Sequence, residues 1–305
     1  TTPFRMQPGL RRLAPGATQL TPNLPGSRAL REKLAVLLAY PAQALLGQEG
    51  FDATPALAEL NAHAAHEQPE AWASTQRGHG HARRLGWAVR DGELQQTDGG
   101  AAPEIGACLQ SLPPDWRLPG LLCLAFAEDF AVIDGRSAHI PWLAVCLPSG
   151  WAPEDKVGRH FAEVHAPVAD NAVIVGASEH LARLVTGDTR WERFVWSVTR
   201  HPRLHAHPAR LDPSPWPAEA SPQALAERAY FRTERQTFIP LPAEQQAIFT
   251  IHVNLVPLTQ AIESADQARR LRDALASMSP AVLAYRSLTD ARSRLLAWLT
   301  ERAAS

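Results

Sequence analysis

The chain is predicted to adopt an α+β fold, in which helices flank an antiparallel β-sheet. Three observations carry this prediction: helical periods near both ends of the chain, hairpin-like segments between them, and the lack of a regular alternation of strand and helix. Parallel α/β folds alternate strand and helix throughout. With 45% apolar and 20% charged residues, the composition supports a well-buried core.

The N-terminal part is predicted to form an extended arm followed by two helices. Proline, glycine and threonine are frequent in the first 25 residues, which favours an extended arm. Residues 26–46 have a helical period of leucines that breaks at Pro41, and residues 54–67 form a second helix with Thr54 as its N-cap. The polar stretch over residues 68–84 is predicted to be a loop.

The central part is predicted to contain the sheet. Residues 85–96 form two short strands joined at an Asp-Gly pair, which is favoured in tight hairpin turns. Residues 120–151 form a long hairpin that turns at a second Asp-Gly pair, with its second strand from Ile140 to Leu147. A short helix follows and ends at His165, because Pro167 disfavours helical backbone in the residue before it.

A second hairpin and two helices complete the predicted core and C-terminal part. Residues 170–222 alternate between helix-like and coil segments, including a stretch too rich in proline for regular structure. Strands follow near 229–239 and 247–255, and amphipathic helices over 258–278 and 279–304. We therefore divide the chain into an N-terminal arm with helices (1–84), a sheet-containing core (85–258) and C-terminal helices (259–305).

Charge and cysteine content exclude several classes of function. The 30 basic and 31 acidic residues give a net charge of −1, so no broad field favours nucleic acid or a membrane surface. No run approaches the roughly 20 apolar residues of a membrane span, and the N-terminus lacks a signal-peptide core, so we expect a cytoplasmic protein. Because Cys108, Cys123 and Cys146 are too few for an iron–sulfur cluster, we expect this chain to bind neither such a cluster nor flavin.

Histidine clusters are weak candidates for metal binding. His63 and His66 have the i,i+3 spacing of one helix face, but no third ligand is evident beside them. The other clusters lie in predicted loops, where a solvated surface is the favoured interpretation. These are His79 with His81, and His201 with His205 and His207.

The densest polar cluster within a predicted strand is FRTERQTF, residues 231–238. Period-two geometry places Arg232, Glu234 and Gln236 on one face and Arg235, between two threonines, on the other. A strand with charges on both faces cannot bury both of them in an apolar core. Either the strand has a solvated side that carries cross-strand salt bridges, or one face lines a polar cavity.

Three motifs in a fixed order resemble a known family. They are PGLRRL near the start, VGRHFAEVHAPV in the middle, and FRTERQTFIPLP followed by AIFTIHVNLVPL near the end. Together they resemble the heme-dependent oxidative N-demethylase-like family, and the resemblance spans about residues 3–260. Its catalytic subunit carries heme b in a PAS-type domain and removes a methyl group from a secondary amine, with O2 and externally supplied electrons.

The resemblance implies a PAS-like antiparallel sheet that holds heme b between its concave face and the flanking helices. His165 is then the axial ligand of the iron, and a partner reductase protein or subunit supplies electrons. Glu234, Arg235 and Gln236 are expected to position the small amine substrate or to manage protons. The expected cofactor contacts, besides His165, are Arg232, Trp196 and His252.

This sequence departs from the family's pattern at several of these positions. Val195 precedes Trp196 where the family has asparagine, His252 stands where an arginine is usual, and His160 replaces a proline. These departures leave two alternatives open, a non-catalytic heme-binding PAS-type sensor or gas-binding module, and a structural subunit without a cofactor.

Overall fold

The computed structural model describes residue 4, residues 9–98, 101–165, residue 169 and residues 172–304. Across these residues the chain forms an α+β fold with antiparallel sheets, as the order of elements in the sequence predicts. The helices are α1 (Arg28–Ala39), α2 (Pro41–Ala44), α3 (Thr54–Glu67), α4 (Pro103–Ser111), α5 (Pro114–Ala125), α6 (Phe161–His165), α7 (Ala172–Gly176), α8 (Ser178–Val185), α9 (Pro222–Glu227), α10 (Leu258–Ala261), α11 (Ala265–Ala276), α12 (Pro280–Tyr285) and α13 (Arg292–Ala304). The strands are β1 (Arg11–Arg12), β2 (Leu45–Gly47), β3 (Trp72–Ala73), β4 (His79–Ala82), β5 (Trp87–Arg90), β6 (Glu93–Gln96), β7 (Asp129–Asp134), β8 (His139–Ala144), β9 (Trp191–Thr199), β10 (Tyr230–Leu241) and β11 (Gln246–Pro257).

The main sheet has seven strands in the order β1-β9-β10-β11-β7-β8-β2, and every neighbouring pair is antiparallel. Strands β10 and β11 form the predicted second hairpin and pair without interruption from Tyr230 opposite Pro257 to Leu241 opposite Gln246. Both strands contain several β-branched and aromatic residues, which pack well on a pleated surface. This long hairpin forms the centre of the sheet and provides three polar residues of the site described below, Arg232, Glu234 and Gln236.

The predicted first hairpin is wrong over residues 120–125, which belong to α5. This helix is buried on nearly all sides, so its apolar run lacks the polar face that distinguishes a surface helix from a buried strand. The hairpin itself is β7 and β8, and its second strand begins at His139 and ends at Ala144, earlier than predicted. Residues Ala166 and Pro167, on which the predicted end of α6 depends, lie outside the described residues, as does Pro8 of the first motif.

Strands β3, β4 and β9 lie where the sequence predicts none. Strand β9 occupies part of a segment predicted to alternate between helix and coil, and it pairs with β10 along nine positions. The predicted loop over 68–84 contains β3 and β4, which pair with β5 and β6 in a separate four-stranded sheet. The turn between β5 and β6 uses the predicted Asp91-Gly92 pair, with φ angles of 48° and 81°. The predicted boundary between residues 84 and 85 falls inside this second sheet.

Two apolar cores stabilise opposite parts of the molecule. The larger one packs the N-terminal helices and α5 against the main sheet, and includes Trp72 and Phe126 with side chains that are almost completely buried. The second packs helices α9 to α13 around Trp298 and against one end of β9. The two predicted C-terminal helices are thus divided into four, α10 to α13. Among the described residues, no helix is both long and apolar enough to cross a membrane.

Candidate functional site

A cavity of about 440 Å³ lies against one face of the main sheet. The opposite wall consists of residues 149–156, helix α6, part of α7 and the end of α12. Strand register explains which side chains of the sheet reach the cavity, since residues paired across strands share a face. Gln236 is paired with Arg193 on β9 and with Ile251 on β11, and all three line the cavity. Ligand sites in proteins are typically about 300–1,000 Å³, so this volume suits a small molecule or cofactor.

His165, at the end of α6, lines the cavity. Its Nδ1 lies 2.8 Å from the carbonyl oxygen of Phe161, one helical turn earlier, and must therefore carry the proton and donate it. Burial lowers the pKa of His165 to about 4, and the positive charges of Arg193 and Lys156 act in the same direction. The imidazole is thus neutral near pH 7, with its lone pair on Nε2, which is the state that a metal ligand requires.

Glu234 is a buried carboxylate on the cavity face of β10. The side-chain amide of Gln236, two residues further along the same face, donates a hydrogen bond of 2.6 Å to Glu234 Oε2. The alternation in the sequence predicted that Glu234 and Gln236 share one face of the strand. The structure places both side chains at the cavity, as expected if this face lines a polar cavity. A carboxylate in such a place can hold an ammonium group or accept a proton.

Arg232 shares this face but is engaged in the protein's own structure. Its Nε donates to Ser149 Oγ at 2.7 Å, and its terminal nitrogens donate to the carbonyl oxygens of Pro148, Arg203 and Leu204. These bonds use four of the five N–H groups of a guanidinium. Arg232 therefore holds two loops at the cavity wall, and we do not place it among the residues that bind a cofactor.

Arg235 and His252 lie on the other face of the sheet, away from the cavity. They are paired across β10 and β11 and thus point to the same side. Arg235 Nε lies 3.0 Å from a carboxylate oxygen of Glu192, and His252 Nδ1 lies 3.1 Å from one of Glu128. The period-two alternation of the strand predicted that Arg235 lies on the face opposite to Glu234 and Gln236. In the structure, Arg235 and His252 each contact a carboxylate of the protein itself. Neither has a place in the candidate site.

Trp196 borders the cavity, but its ring packs elsewhere. The indole stacks on Phe231 with a centroid distance of 5.8 Å and an interplanar angle of 25°, and meets the edge of Phe4. Its backbone oxygen accepts a hydrogen bond of 2.6 Å from Arg286, which also lines the cavity. Trp196 thus supports the wall next to α12 and fixes a cation that reaches the site.

Sequence reasoning missed three basic residues of the cavity, which are Lys156, Arg193 and Arg286. The alternation in WERFVWSVT could have placed Arg193 beside Gln236 if the segment had been identified as a strand. Burial lowers the pKa of all three groups, to about 10 for Arg286. They are nevertheless protonated near pH 7, because the ordinary pKa values of lysine and arginine lie far above it.

The charge inside the cavity is therefore strongly positive. With Arg232 there are four cationic side chains in the described lining and a single carboxylate, Glu234, which is a surplus of three positive charges. In a partly dry site this surplus favours ligands with anionic groups.

Comparison with known proteins agrees with this arrangement. A sequence model of the family described as haem-dependent oxidative N-demethylase, alpha subunit-like, matches residues 120–296, which is more than half of the chain. The protein belongs to this family. The resemblance inferred from the three motifs is thereby confirmed, and all described residues that line the cavity fall within the matched range. The family name indicates heme dependence and an oxidative reaction, and it describes an alpha subunit, which implies a partner subunit.

The residues of this alpha-subunit-like protein fit a heme group. Apolar side chains from the centre of the sheet, including Ala131, Leu143 and Phe249, offer the wall that a porphyrin ring requires. The surplus of positive charge matches the two propionates of heme. The neutral imidazole of His165 adds a nitrogen of the type that binds heme iron.

A second group of metal-ligating atoms lies outside this cavity. Cys123, Asp129 and Cys146 have ligand atoms within 4.8 Å of one another, and all three side chains are buried. A positive charge is already present there, because Lys33 Nζ lies 2.9 Å from Asp129 Oδ1. The ammonium group of Lys33 thus lies where a metal cation would bind. We interpret the cluster as a structural ion pair between Lys33 and Asp129 beside the two thiols. The predicted pair His63 and His66 is not part of such a group in the described residues.

Proposed function

We propose that this protein is the catalytic subunit of a heme-dependent enzyme that removes a methyl group from a small amine by oxidation. The single observation that carries the proposal is the neutral, partly buried His165 at the edge of a cationic cavity with one apolar wall. Membership of the family supports the choice of heme and of an oxidative reaction.

In this proposal the cavity would hold heme b, and His165 Nε2 would bind its iron. When bound, the heme supplies iron that binds and activates O2. The hydrogen bond from Nδ1 to the carbonyl oxygen of Phe161 orients the imidazole ring and increases the basicity of Nε2. The cationic lining neutralises the propionates. We also propose that the antiparallel sheet, with its ligand cavity on one face, is of the PAS type.

Glu234 and Gln236 are the proposed substrate-binding residues. The Glu234 carboxylate accepts a hydrogen bond from the ammonium form of the amine and can take up its proton, while Gln236 keeps the carboxylate in one orientation. The overall reaction converts an N-methylated amine, O2, two electrons and two protons into the amine without that methyl group, formaldehyde and water. The bond between nitrogen and the methyl carbon breaks, the methyl carbon is oxidised and both oxygen atoms are reduced. The family name describes an alpha subunit, which supports a partner reductase protein or subunit as the source of the electrons.

The first test measures heme binding. We expect the purified protein to bind about one heme per chain and to show a Soret band. His165→Ala should lose heme or shift the band, and added imidazole should partly restore it by occupying the vacated ligand position. His160→Ala is the matched control, since His160 precedes α6 and its ring contacts His139 rather than the cavity. Heme loss in His160→Ala with an unchanged His165→Ala would contradict the ligand assignment.

The second test measures turnover. Heme-loaded protein is incubated with O2, a surrogate ferredoxin, its reductase and NADPH, and formaldehyde release is measured with dimethylamine, trimethylamine and N-methylglycine. Amine-dependent formaldehyde release supports the proposal. Heme binding without release from any of the three amines would instead support the sensor or gas-binding alternative.

A further inference from the structure

We infer that the amine accepted by this cavity also carries a carboxylate, so that the substrate class is an N-methyl amino acid with Glu234 at its ammonium group and Arg193 at its carboxylate. This inference rests on the proposed function and names the substrate class of that same site. It follows from where the charges of the cavity lie and from which of them already have partners.

The first step is the relative position of the two charges. Glu234 is paired with Val195, and Arg193 lies two residues before Val195 on the same strand. The two residues are therefore diagonal neighbours on one face of the sheet, and both line the cavity. The Cα atoms of diagonal neighbours in an antiparallel pair are about 7–8 Å apart, and both side chains project from the same face. A molecule with its ammonium and carboxylate on one carbon atom can therefore contact both side chains at once.

The second step is which groups remain available. Arg193 Nε has no hydrogen-bond partner in the described part of the chain and is buried from solvent. An unpaired guanidinium N–H in such a position is unfavourable unless a ligand accepts its hydrogen bond. Arg232, the other arginine next to Glu234 on this face, already uses four of its five guanidinium N–H groups in hydrogen bonds to Ser149 and to backbone oxygens. Arg193 is thus the cation of the sheet that is free to receive a carboxylate beside Glu234.

The third step is the charge balance. The described lining has a surplus of three positive charges, and two heme propionates would leave a surplus of one. A simple ammonium ion would enter a region that is still positive and would be repelled by it. A zwitterion carries no net charge, satisfies Glu234 with its ammonium group and brings an anion to the remaining cation. The cavity therefore favours an N-methyl amino acid over a methylamine of similar size.

The experiment compares three ligands by calorimetry and by the heme difference spectrum of the heme-loaded protein. N-methylglycine has both charges, N-methylglycinamide has only the ammonium group, and dimethylamine is the simple amine. We expect N-methylglycine to bind at least tenfold more tightly than the other two. Arg193→Gln should weaken the binding of N-methylglycine at least tenfold and leave the binding of N-methylglycinamide unchanged. Arg193→Lys should retain part of the affinity for N-methylglycine that Arg193→Gln loses.

The control variant is Arg183→Gln, which removes an exposed arginine of α8 that pairs only loosely with Glu179 at 3.5 Å. It should bind all three ligands like the unmodified protein. Heme content is measured for every variant. If Arg193→Gln loses heme, then Arg193 holds a propionate and the inference is wrong.

The remaining outcomes separate the inference from the proposed function. Binding and turnover of dimethylamine or N-methylglycinamide with no preference for N-methylglycine would overturn the inference and leave the demethylase function intact. Failure of all three ligands to bind, or to release formaldehyde, would remove the proposed function and the inference with it.

Discussion

Replacing Asp129 by asparagine removes the counter-charge of a completely buried ammonium group. Lys33, on α1, and Asp129, at the start of β7, have no exposed side-chain surface, and Nζ lies 2.9 Å from Oδ1. The ammonium group also donates to the carbonyl oxygens of Phe126 and Glu128. Burial alone would lower the pKa of Lys33, but Asp129 and the neighbouring thiols offset this effect, and the pKa lies above its ordinary value.

The expected cost follows from this geometry. An asparagine keeps the shape of the side chain and leaves Lys33 charged, buried and with only neutral acceptors. Breaking a buried pair by removing one partner typically costs about 3–5 kcal/mol. Asp129 Oδ2 also accepts a 2.6 Å hydrogen bond from the backbone N–H of Leu147, so Asp129→Asn weakens the connection between the start of β7 and the segment after β8 as well. We therefore expect a loss in the upper part of that range, about 4–5 kcal/mol.

The assay is a double-mutant cycle by urea denaturation of heme-free protein. Asp129→Asn and Lys33→Met are measured alone and together, and the coupling free energy is obtained from the four values. We expect the double variant to be more stable than Asp129→Asn, because it no longer contains an unpaired buried charge. If each single variant lost less than about 1 kcal/mol of unfolding free energy and the two substitutions showed no coupling, the pair would be hydrated and this reasoning would be refuted.

Two further predictions concern the cavity. Above pH 6.5 His165 is neutral in both folded and unfolded heme-free protein, whereas between pH 6.5 and about 4 only the unfolded chain gains its proton. The free energy of unfolding should therefore fall with falling pH by up to about 3 kcal/mol over this window, and His165→Leu should lack this part of the pH dependence. Urea titrations at several pH values measure the free energy of unfolding. The same pH dependence in His165→Leu and in the unmodified protein would contradict the burial of the imidazole. Glu234→Gln should weaken amine binding at least tenfold and leave the amine-free heme spectrum unchanged, as measured by spectral titration. A change confined to stability, of about 0–1 kcal/mol, would instead indicate an ordinary salt-bridge residue.

Part of this site is predictable from the sequence because a strand has an exact period of two. The alternation in FRTERQTF separates Glu234 and Gln236 from Arg235, and the structure places the first two at the cavity and the third on the opposite face. These inferences depend only on local geometry, which the sequence specifies directly.

Other parts of the site depend on contacts between distant segments, which no local pattern contains. Arg193 became part of the cavity only through the pairing of β9 with β10, and β9 lies in a segment predicted to alternate between helix and coil. Arg286 reaches the site from the end of α12, 90 residues after Trp196, to whose backbone oxygen it donates. Helix α5 was mistaken for a strand for a related reason, since complete burial removes the polar face that shows a helical period.

The two faces of β10 show how one strand can carry charge on both sides and serve different purposes. On the face away from the cavity, Arg235 pairs with Glu192, and its neighbour in register, His252, contacts Glu128, so these side chains have partners within the protein. On the cavity face, Arg232 is held by Ser149 and by three backbone oxygens, whereas Glu234 and Arg193 form no direct ion pair with each other in the described residues. Because unpaired buried charges are costly, their retention side by side is best explained by a ligand that satisfies both. The division between paired and unpaired charges therefore separates the part of the sheet that maintains the fold from the part that we propose binds substrate.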